Sequence, residues 1–530
     1  MTYLVNNEWG KNQYQNLGDA RIHQNAKARS MVSTVVVGLC IGLLVLSLWS
    51  MSQRHIGYAL IFSLDTRQSL TARTSTRFLS YGLDTSLLRD MPNLPINDKR
   101  FINLARHLSP AYVRVGGTAA DCLVFNQTLS PTPEEVFDPV TRSDITNFTI
   151  TDKDFLALYN FAEQSGARMI FDLNVLLRQP NGYWDYSNAE QIITFAKGHN
   201  LEIDWQLGNE PNSFYHVFER NVTATQLATD YITLRGLLDK SGYESSDIIG
   251  PEVNHIADEK HAGERYASEF LEYGGSSVTY VSWHQYYLNG REAKVEDFVD
   301  PAVLNVLPIQ IKSVADVIDR SGKDVYMWIS ETSSAYGGGA PELSDRFVAG
   351  FLWLDKLGYS ARAGVNVVTR QSLFGGNYAM VSPNLTPNPD WWVSVFYKQF
   401  VSEKVLKFGE PSDGRVRFYL HCTPTTALLN RVPAVTSYGV NLNKEPIKFY
   451  NRILYRIPKI GVKTFLYILT ADHLTSSYIK MNGETLMLNK NGDLPPFNPI
   501  IVDPTQPIFI PAYSMIFMVF HGIEVPACMT

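Results

Sequence analysis

Cysteine is scarce, with four in 530 residues. Cys40, Cys122, Cys422 and Cys528 show no metal-binding spacing, and His23, His107 and His199 are scattered, so no metal or other cofactor is expected. An excess of basic residues is missing too. Lys and Arg number 46 against 52 Asp and Glu, a formal net charge of -6, which argues against nucleic acid as a partner. No internal repeat and no long low-complexity tract occurs, which excludes solenoids and arrays. Apolar material is plentiful: 45% hydrophobic and 12% aromatic residues can bury a large core. The length exceeds one barrel-sized domain, so one or two additional modules are expected.

Charge is absent from Met31 to Trp49, a Val, Leu, Ile and Gly-rich stretch of about 19 residues, near the length that crosses a bilayer. Arg21, Lys27 and Arg29 precede it, so the positive-inside rule keeps residues 1–30 in the cytosol and exports the rest, giving a type II signal anchor at 31–49. The rival is a cleaved signal, because Ser50 and Ser52 are small enough for a peptidase. Sequons at Asn126, Asn147, Asn221 and Asn384 agree with a membrane-anchored or secreted body, lumenal, lysosomal or extracellular. In such an oxidising compartment Cys422 and Cys528 could close a bridge, while Cys122 reads as a buried thiol.

Eight strand-like runs follow: Phe78 to Asp84, Tyr112 to Gly117, Arg168 to Asn174, Glu202 to Glu210, Asp247 to Val253, Val278 to Tyr286, Val325 to Glu331 and Gly364 to Gln371. Helical spacing fills the intervals at Asp152 to Gln164, Ala189 to Lys197, Thr225 to Lys240, Gly263 to Tyr273, Leu307 to Arg320 and Leu343 to Leu357. Alternating strands and helices predict an α/β fold, a (β/α)8 barrel over residues 76–400. A doubly wound open sheet is the competing topology. Glu210 closes the fourth run and Glu331 the seventh, which puts both carboxylates on the C-terminal face, where barrel chemistry happens. Paired acids across a cleft suit glycosidic bond cleavage. Past Phe400 short alternating runs separated by Pro, Asn and Gly predict a β-sandwich over 401–530: Arg415 to His421, Ala434 to Leu442, Lys463 to Leu469, Tyr478 to Met481 and Ser514 to Phe520. A spare run, Tyr58 to Leu64 within 56–70, is expected to join that sandwich.

Three long motifs carry a resemblance: Gly208-Asn209-Glu210-Pro211-Asn212-Ser213-Phe214, Trp283-His284-Gln285-Tyr286-Tyr287-Leu288-Asn289-Gly290-Arg291, and Glu331 through Pro341 with its triplet Gly337-Gly338-Gly339. With Arg114 to Thr118, Leu354 to Gly358 and Val525 to Cys528, they resemble the heparanase family of retaining endo-β-glucuronidases from about Tyr58 onward. The resemblance implies Glu210 as acid/base and Glu331 as nucleophile, with a glycosaminoglycan, heparan sulfate or a related glucuronide polymer, as substrate. Trp205 and a closed cleft are expected to desolvate Glu210 and raise its pKa. Asn209 would reach the sugar 2-hydroxyl. Gly337, Gly338, Gly376 and Tyr378 would read the substrate carboxylate, and Asp84, Thr118, His284, Tyr286, Arg291 and Gln371 would line the other subsites. Tyr286 and Tyr287 alternate sides, so only one can face the cleft. Cys422 and Cys528 match the family's C-terminal disulfide.

Departures from the family qualify the substrate. Where members that cut sulfated chains carry basic residues, this chain has Asp144, Thr146, Ala257 and Asp258, although Arg142, Lys153, Lys260 and Arg265 lie nearby. Hyaluronan, which bears carboxylates and no sulfate, is therefore the second substrate reading. The Asn126 to Asn147 stretch reads as an exposed loop, shorter than the linker excised from members that mature into two chains. A catalytically silent glycan-binding homologue is the alternative of another class.

Overall fold

The computed structural model describes residues 59–127, 145–408, 414–454, 462–490 and 492–529. The expected cytosolic tail and anchor, Cys40, Tyr58, Arg142 and Asp144 lie outside them. Eight parallel strands, β1 (Leu79–Asp84), β2 (Ala111–Gly116), β3 (Ala167–Leu173), β4 (Ile203–Leu207), β5 (Ile249–Val253), β6 (Tyr280–Gln285), β7 (Tyr326–Thr332) and β8 (Val367–Arg370), pair in the order β4-β3-β2-β1-β8-β7-β6-β5. The Trp205 amide donates to the Asp247 carbonyl at 3.0 Å and Trp205 bridges Ile248, which joins β4 to β5 and closes the barrel.

Side chains alternate across each strand, so every second residue enters the barrel. Tyr112, Ile170, Ile249, Trp328 and Val367 form one buried interior layer, with the Tyr280 ring stacked 4.4 Å from Trp328. Two residues further along, β2 and β3 bring Arg114 and Asp172 inward, and β4 brings Gln206. The apolar layer thus stoppers the barrel beneath a buried polar one. Trp205 takes the opposite face of β4, its ring 5.8 Å from Tyr243.

Two bulges break this alternation where it matters. Between β5 and β6 the register runs from Gly250↔Val281 to Val253↔Trp283, so β5 carries one extra residue there. Between β6 and β7 it runs from Trp283↔Ile329 to His284↔Glu331, an extra residue on β7. A bulge re-aims the side chains beyond it. Glu252 and Glu331 consequently turn inward, where strict alternation from Ile249 and Trp328 would have sent both outward.

The helix expected at Asp152 to Gln164 has those bounds, and four others agree within two residues. The sixth does not. It runs Ala349–Arg362 rather than from Leu343, because the Phe347 and Val348 amides are engaged by the Ser476 and Leu474 carbonyls. Glycine at 358 lets Tyr419 lie against this helix, since a Cβ there would stand 2.0 Å from its ring. The Tyr419 hydroxyl donates to Asp355 at 2.6 Å, tying helix to sandwich.

The C-terminal region is a β-sandwich. β9 (Val416–Cys422), β10 (Ala434–Asn441), β11 (Lys463–Thr470) and β12 (Ser514–His521) pair antiparallel in the order β9-β10-β12-β11. Facing them is a three-stranded sheet of Ala59–Asp65, Ile447–Leu454 and Ile508–Ile510. The spare N-terminal strand therefore does join this module: Phe62 stacks 4.6 Å from Phe449 in the inter-sheet core. The run from Tyr478 shortens to the strand Lys480–Met481. A Cys422–Cys528 disulfide, Cα atoms 5.5 Å apart and 106 residues apart in sequence, closes the tail onto β9. Loop-closure entropy for a loop of that order stabilises by about 4–5 kcal/mol. Cys122 is buried, and its thiol donates to the Ile145 carbonyl at 3.2 Å. Asn147, Asn221 and Asn384 are exposed and Asn126 is half-buried.

Candidate active site

β4 ends at Leu207 and the chain leaves it through Gly208 and Asn209 to Glu210, which adopts the left-handed conformation at φ 55°. The Glu210 amide donates to the Glu252 carbonyl at 3.1 Å, which fixes this turn to β5. Its side chain is 24% exposed and makes one short contact, to His284 Nδ1 at 2.8 Å. Glu331, at the β7 bulge, is held on both oxygens: Arg114 Nη1 donates to one and the Tyr286 hydroxyl to the other, each at 2.7 Å. A carboxylate oxygen of Glu210, one of Glu331 and a ring nitrogen of His284 lie within 4.8 Å of one another.

Beneath the pair sits a buried ionic network. Arg114, 1% exposed, donates through Nε to Gln206, through Nη1 to Glu331 and through Nη2 to Asn209, and Nη2 also forms an ion pair with Glu252. A guanidinium only donates, so Asn209 must present its oxygen there and keeps its NH2 for another acceptor. Asp121 accepts the Asn209 amide at 2.9 Å, and burial pushes its carboxyl up to about 7. Asp172 has no hydrogen-bond partner on either oxygen, and burial raises it well above the ordinary value despite Arg114.

His284 lies between two carboxylates, Glu210 on Nδ1 and Glu252 on Nε2 at 2.9 Å. Burial favours the neutral ring, but the charge of Glu331 and the hydrogen bonds to Glu210 and Glu252 win, and its pKa is raised to about 10. The reciprocal effect falls on Glu210. Burial pushes its carboxyl up, yet the hydrogen bond and charge of His284 outweigh burial and hold it below the ordinary value. This corrects the expectation of a raised Glu210, and Trp205 plays no part because alternation sends it outside the barrel. Three oxygen and nitrogen donors this close resemble a metal cradle. A doubly protonated imidazole has no lone pair for a cation, however, and both of its nitrogens are spoken for.

The remaining expected residues fall at the same mouth. Gln371 Nε2 donates to Asp84 at 2.8 Å, and burial raises the Asp84 carboxyl, with the Glu331 charge adding to the rise. Gly117, at φ 121°, is required here because a Cβ would stand 2.7 Å from Asp84. Gly337, Gly338 and Gly339 all have φ between 76° and 90°, backbone that side chains resist, and the Gly338 carbonyl accepts the Asn377 amide at 2.7 Å. That bond joins the glycine loop to Gly376 and Tyr378. Tyr286 faces Glu331 whereas Tyr287 is turned away under Lys356, 4.6 Å from its ring. Thr118, opening the short 3-10 helix after β2, and Arg291, on the loop after β6, are exposed. His284 is 0% exposed and supports Glu210 from below, so it does not line a subsite as expected. Asp258 spends its carboxylate on its own loop, accepting the Lys260 and Ala262 amides.

Gln206, Asp172 and Glu252 were not singled out from the sequence, and Arg114 entered only as part of a motif, with no role. For Arg114, Gln206 and Asp172 the signal was present: charged or amide groups at positions that alternation turns into the barrel. For Glu252 there was none, because the bulge that turns it inward is not readable from alternation.

A closed (β/α)8 barrel with two carboxylates at the C-terminal ends of its fourth and seventh strands, close enough to act on one bond, defines a glycoside hydrolase. The profile of "Glycosyl hydrolase family 79, N-terminal domain" matches residues 82–358. The chain belongs to glycosyl hydrolase family 79. It is 35% identical to heparanase of Rattus norvegicus over 86% of this chain and 91% of that protein. Inactive heparanase-2 of Mus musculus is 30% identical over 88% and 89%, and hyaluronoglucuronidase of Hirudo nipponia 31% identical over 79% and 90%. Among solved structures, a 4-O-α-L-rhamnosyl-β-D-glucuronidase from Fusarium oxysporum shares the fold, with TM-score 0.64, 16% identity and coverage of 87% and 100%.

Proposed function

We propose that the protein is a retaining endo-β-glucuronidase that hydrolyses glucuronic acid linkages in heparan sulfate. The approach of the Glu210 and Glu331 carboxylates to within 4.8 Å carries this reading. Retaining enzymes place the pair about 5–5.5 Å apart for direct attack, whereas inverting ones need about 6.5–9.5 Å to fit a water. Glu331, fixed by Arg114 and Tyr286, attacks the anomeric carbon. Glu210 protonates the leaving oxygen and afterwards deprotonates the water that frees the sugar. Glu210, Glu252 and Glu331 stand against the charges of Arg114 and His284. The glucuronate carboxylate, read by Gly337, Gly338, Gly376 and Tyr378, adds one more negative charge, which raises the proton affinity of Glu210 as substrate binds. Asn209 offers its free NH2 to the 2-hydroxyl.

The heparanase relatives support heparan sulfate, and the leech hyaluronoglucuronidase supports hyaluronan as second reading. The silent reading has an inactive relative behind it, but here both acids stand in reach of one bond. Purified protein is expected to shorten heparan sulfate, leaving glucuronic acid at new reducing ends that are first β by proton NMR, and to cut hyaluronan more slowly. New α ends, or ends lacking glucuronic acid, would refute this mechanism. Because Asp258 replaces a basic residue, lightly sulfated chains should be cut better than heparin-like ones, and Asp144→Lys with Asp258→Arg should raise kcat/KM on the latter in a salt-sensitive way.

We further propose that the body is lumenal or extracellular, held by a type II anchor at 31–49. A tag before Thr2 should survive protease outside intact cells while the body is digested. A secreted form beginning near Ser52 would instead mean a cleaved signal.

A further inference from the structure

We propose that Glu252 is the positioning residue that sets the proton of Glu210, acting through His284. This inference rests on the reading of Glu210 as acid/base. Glu252 is fully buried on the β5 bulge. Its backbone is left-handed, φ 59°, in a residue whose side chain disfavours that conformation, so the surrounding contacts must hold it. Those contacts reach both catalytic carboxylates. Its carbonyl accepts the Glu210 amide at 3.1 Å, its Oε2 bonds His284 Nε2 and forms an ion pair with Arg114 Nη2, each at 2.9 Å, and its Oε1 accepts Gln206 Nε2 at 2.8 Å. Ser282 Oγ accepts its amide at 3.1 Å.

The chemistry follows from acceptor-only groups. An imidazole between two ionised carboxylates must donate on both sides, so it is held as imidazolium. One proton moving from Nδ1 along the 2.8 Å bond to Glu210 Oε1 makes Glu210 the carboxylic acid that cleavage requires. The O–H bond forms as the Nδ1–H bond breaks, and the ring is left neutral with its remaining proton on Nε2, facing Glu252. Glu252 thereby dictates the tautomer: Nδ1 is the nitrogen that gives and takes, as an orienting carboxylate does for the histidine of a hydrolytic triad. Other groups facing this pair are Arg114 from β2, Asp172 from β3, Tyr286 and Glu331 from the cleft wall, Tyr231 from helix Ala224–Lys240 and His255 beyond Glu210. Glu252 itself lies below the ordinary carboxylate value despite its burial, because Arg114 and His284 oppose the burial penalty. At Glu252 those partners outweigh burial, whereas at Asp172 burial prevails.

Glu252→Gln in the full-length protein keeps shape and hydrogen-bonding capacity but removes the charge. On heparan sulfate its kcat/KM should fall at least tenfold, within the roughly 10²–10⁴ that general acid catalysis supplies. The alkaline limb of its pH profile should move to lower pH. On an aryl glucuronide whose leaving group needs no proton, the loss should be under about threefold, since acid help is what is missing. Glu252→Asp, which restores the charge, should return the alkaline limb towards the wild-type position. Equal losses on both substrates with an unmoved profile would overturn the proposal and leave Glu252 a structural residue. Should Glu252→Gln fail to fold, ring nitrogen NMR of His284 in the wild-type protein decides: both nitrogens protonated at neutral pH supports the proposal, and an unprotonated Nε2 refutes it. Full polymer activity in Glu210→Gln would instead refute the acid/base reading on which this one stands.

Discussion

Glu331→Gln is expected to lower kcat on heparan sulfate by on the order of a thousandfold or more, and Glu210→Gln by a comparable factor, as when an essential member of a catalytic unit is lost. The two losses have different origins. An amide at 331 cannot form the glycosyl-enzyme bond, and it also ends the charge pairing with Arg114 at 2.7 Å. An amide at 210 cannot deliver a proton to the leaving oxygen. Glu331→Gly opens space at the anomeric carbon, so azide should restore turnover with an α-glycosyl azide product. For Glu210→Gly an activated leaving group should be cleaved and azide should yield the β product. Near-wild-type turnover in either folded Gln variant would end the assignment, and identical azide products from both would exchange or abolish the two roles.

Arg114→Met should be the most damaging change to stability in the barrel. The guanidinium contacts Gln206, Asn209, Glu252 and Glu331 while 1% exposed, and stands 3.6 Å from Asp172. Methionine leaves those carboxylates buried without a counter-charge, and breaking a buried pair from one side costs about 3–5 kcal/mol. Arg114→Lys retains the charge but has no planar fork to serve partners on three nitrogens, so it should recover only part of the loss. Thermal unfolding at fixed pH reads the effect, and turnover should collapse along with it because Glu331 loses its fixed orientation. If Arg114→Met kept both the unfolding midpoint and kcat of wild type, the network would not be what holds Glu331.

Much of this molecule was legible before folding because its signals are local. All eight barrel strands fall on the runs expected to hold them, with bounds that agree within three residues, as apolar alternation survives whatever surrounds it. The helix Asp152–Gln164 was legible in its spacing, and it begins at a local signal as well, the capping box of Thr151 and Asp154. Leu343 to Val348 misled for the opposite reason. Its helical spacing is real, but the Phe347 and Val348 amides find partners in the sandwich, at Ser476 and Leu474, and tertiary hydrogen bonds override propensity.

The site divides in the same way. Sequence alone determined that two glutamates stand at the ends of the fourth and seventh strands and that a glycine triplet follows the second of them, because residue order along a strand is a one-dimensional fact. It could not determine which way Glu252 and Glu331 face, since one inserted residue in a ladder reverses a side chain without altering composition. Nor could it give the proton of Glu210. A tryptophan close to Glu210 along the chain is no guide to dielectric when Trp205 points out of the barrel and His284, 74 residues on, points in. Charge state depends on distances between atoms brought together from β2, β5, β6 and β7, and only the closed barrel sets those distances.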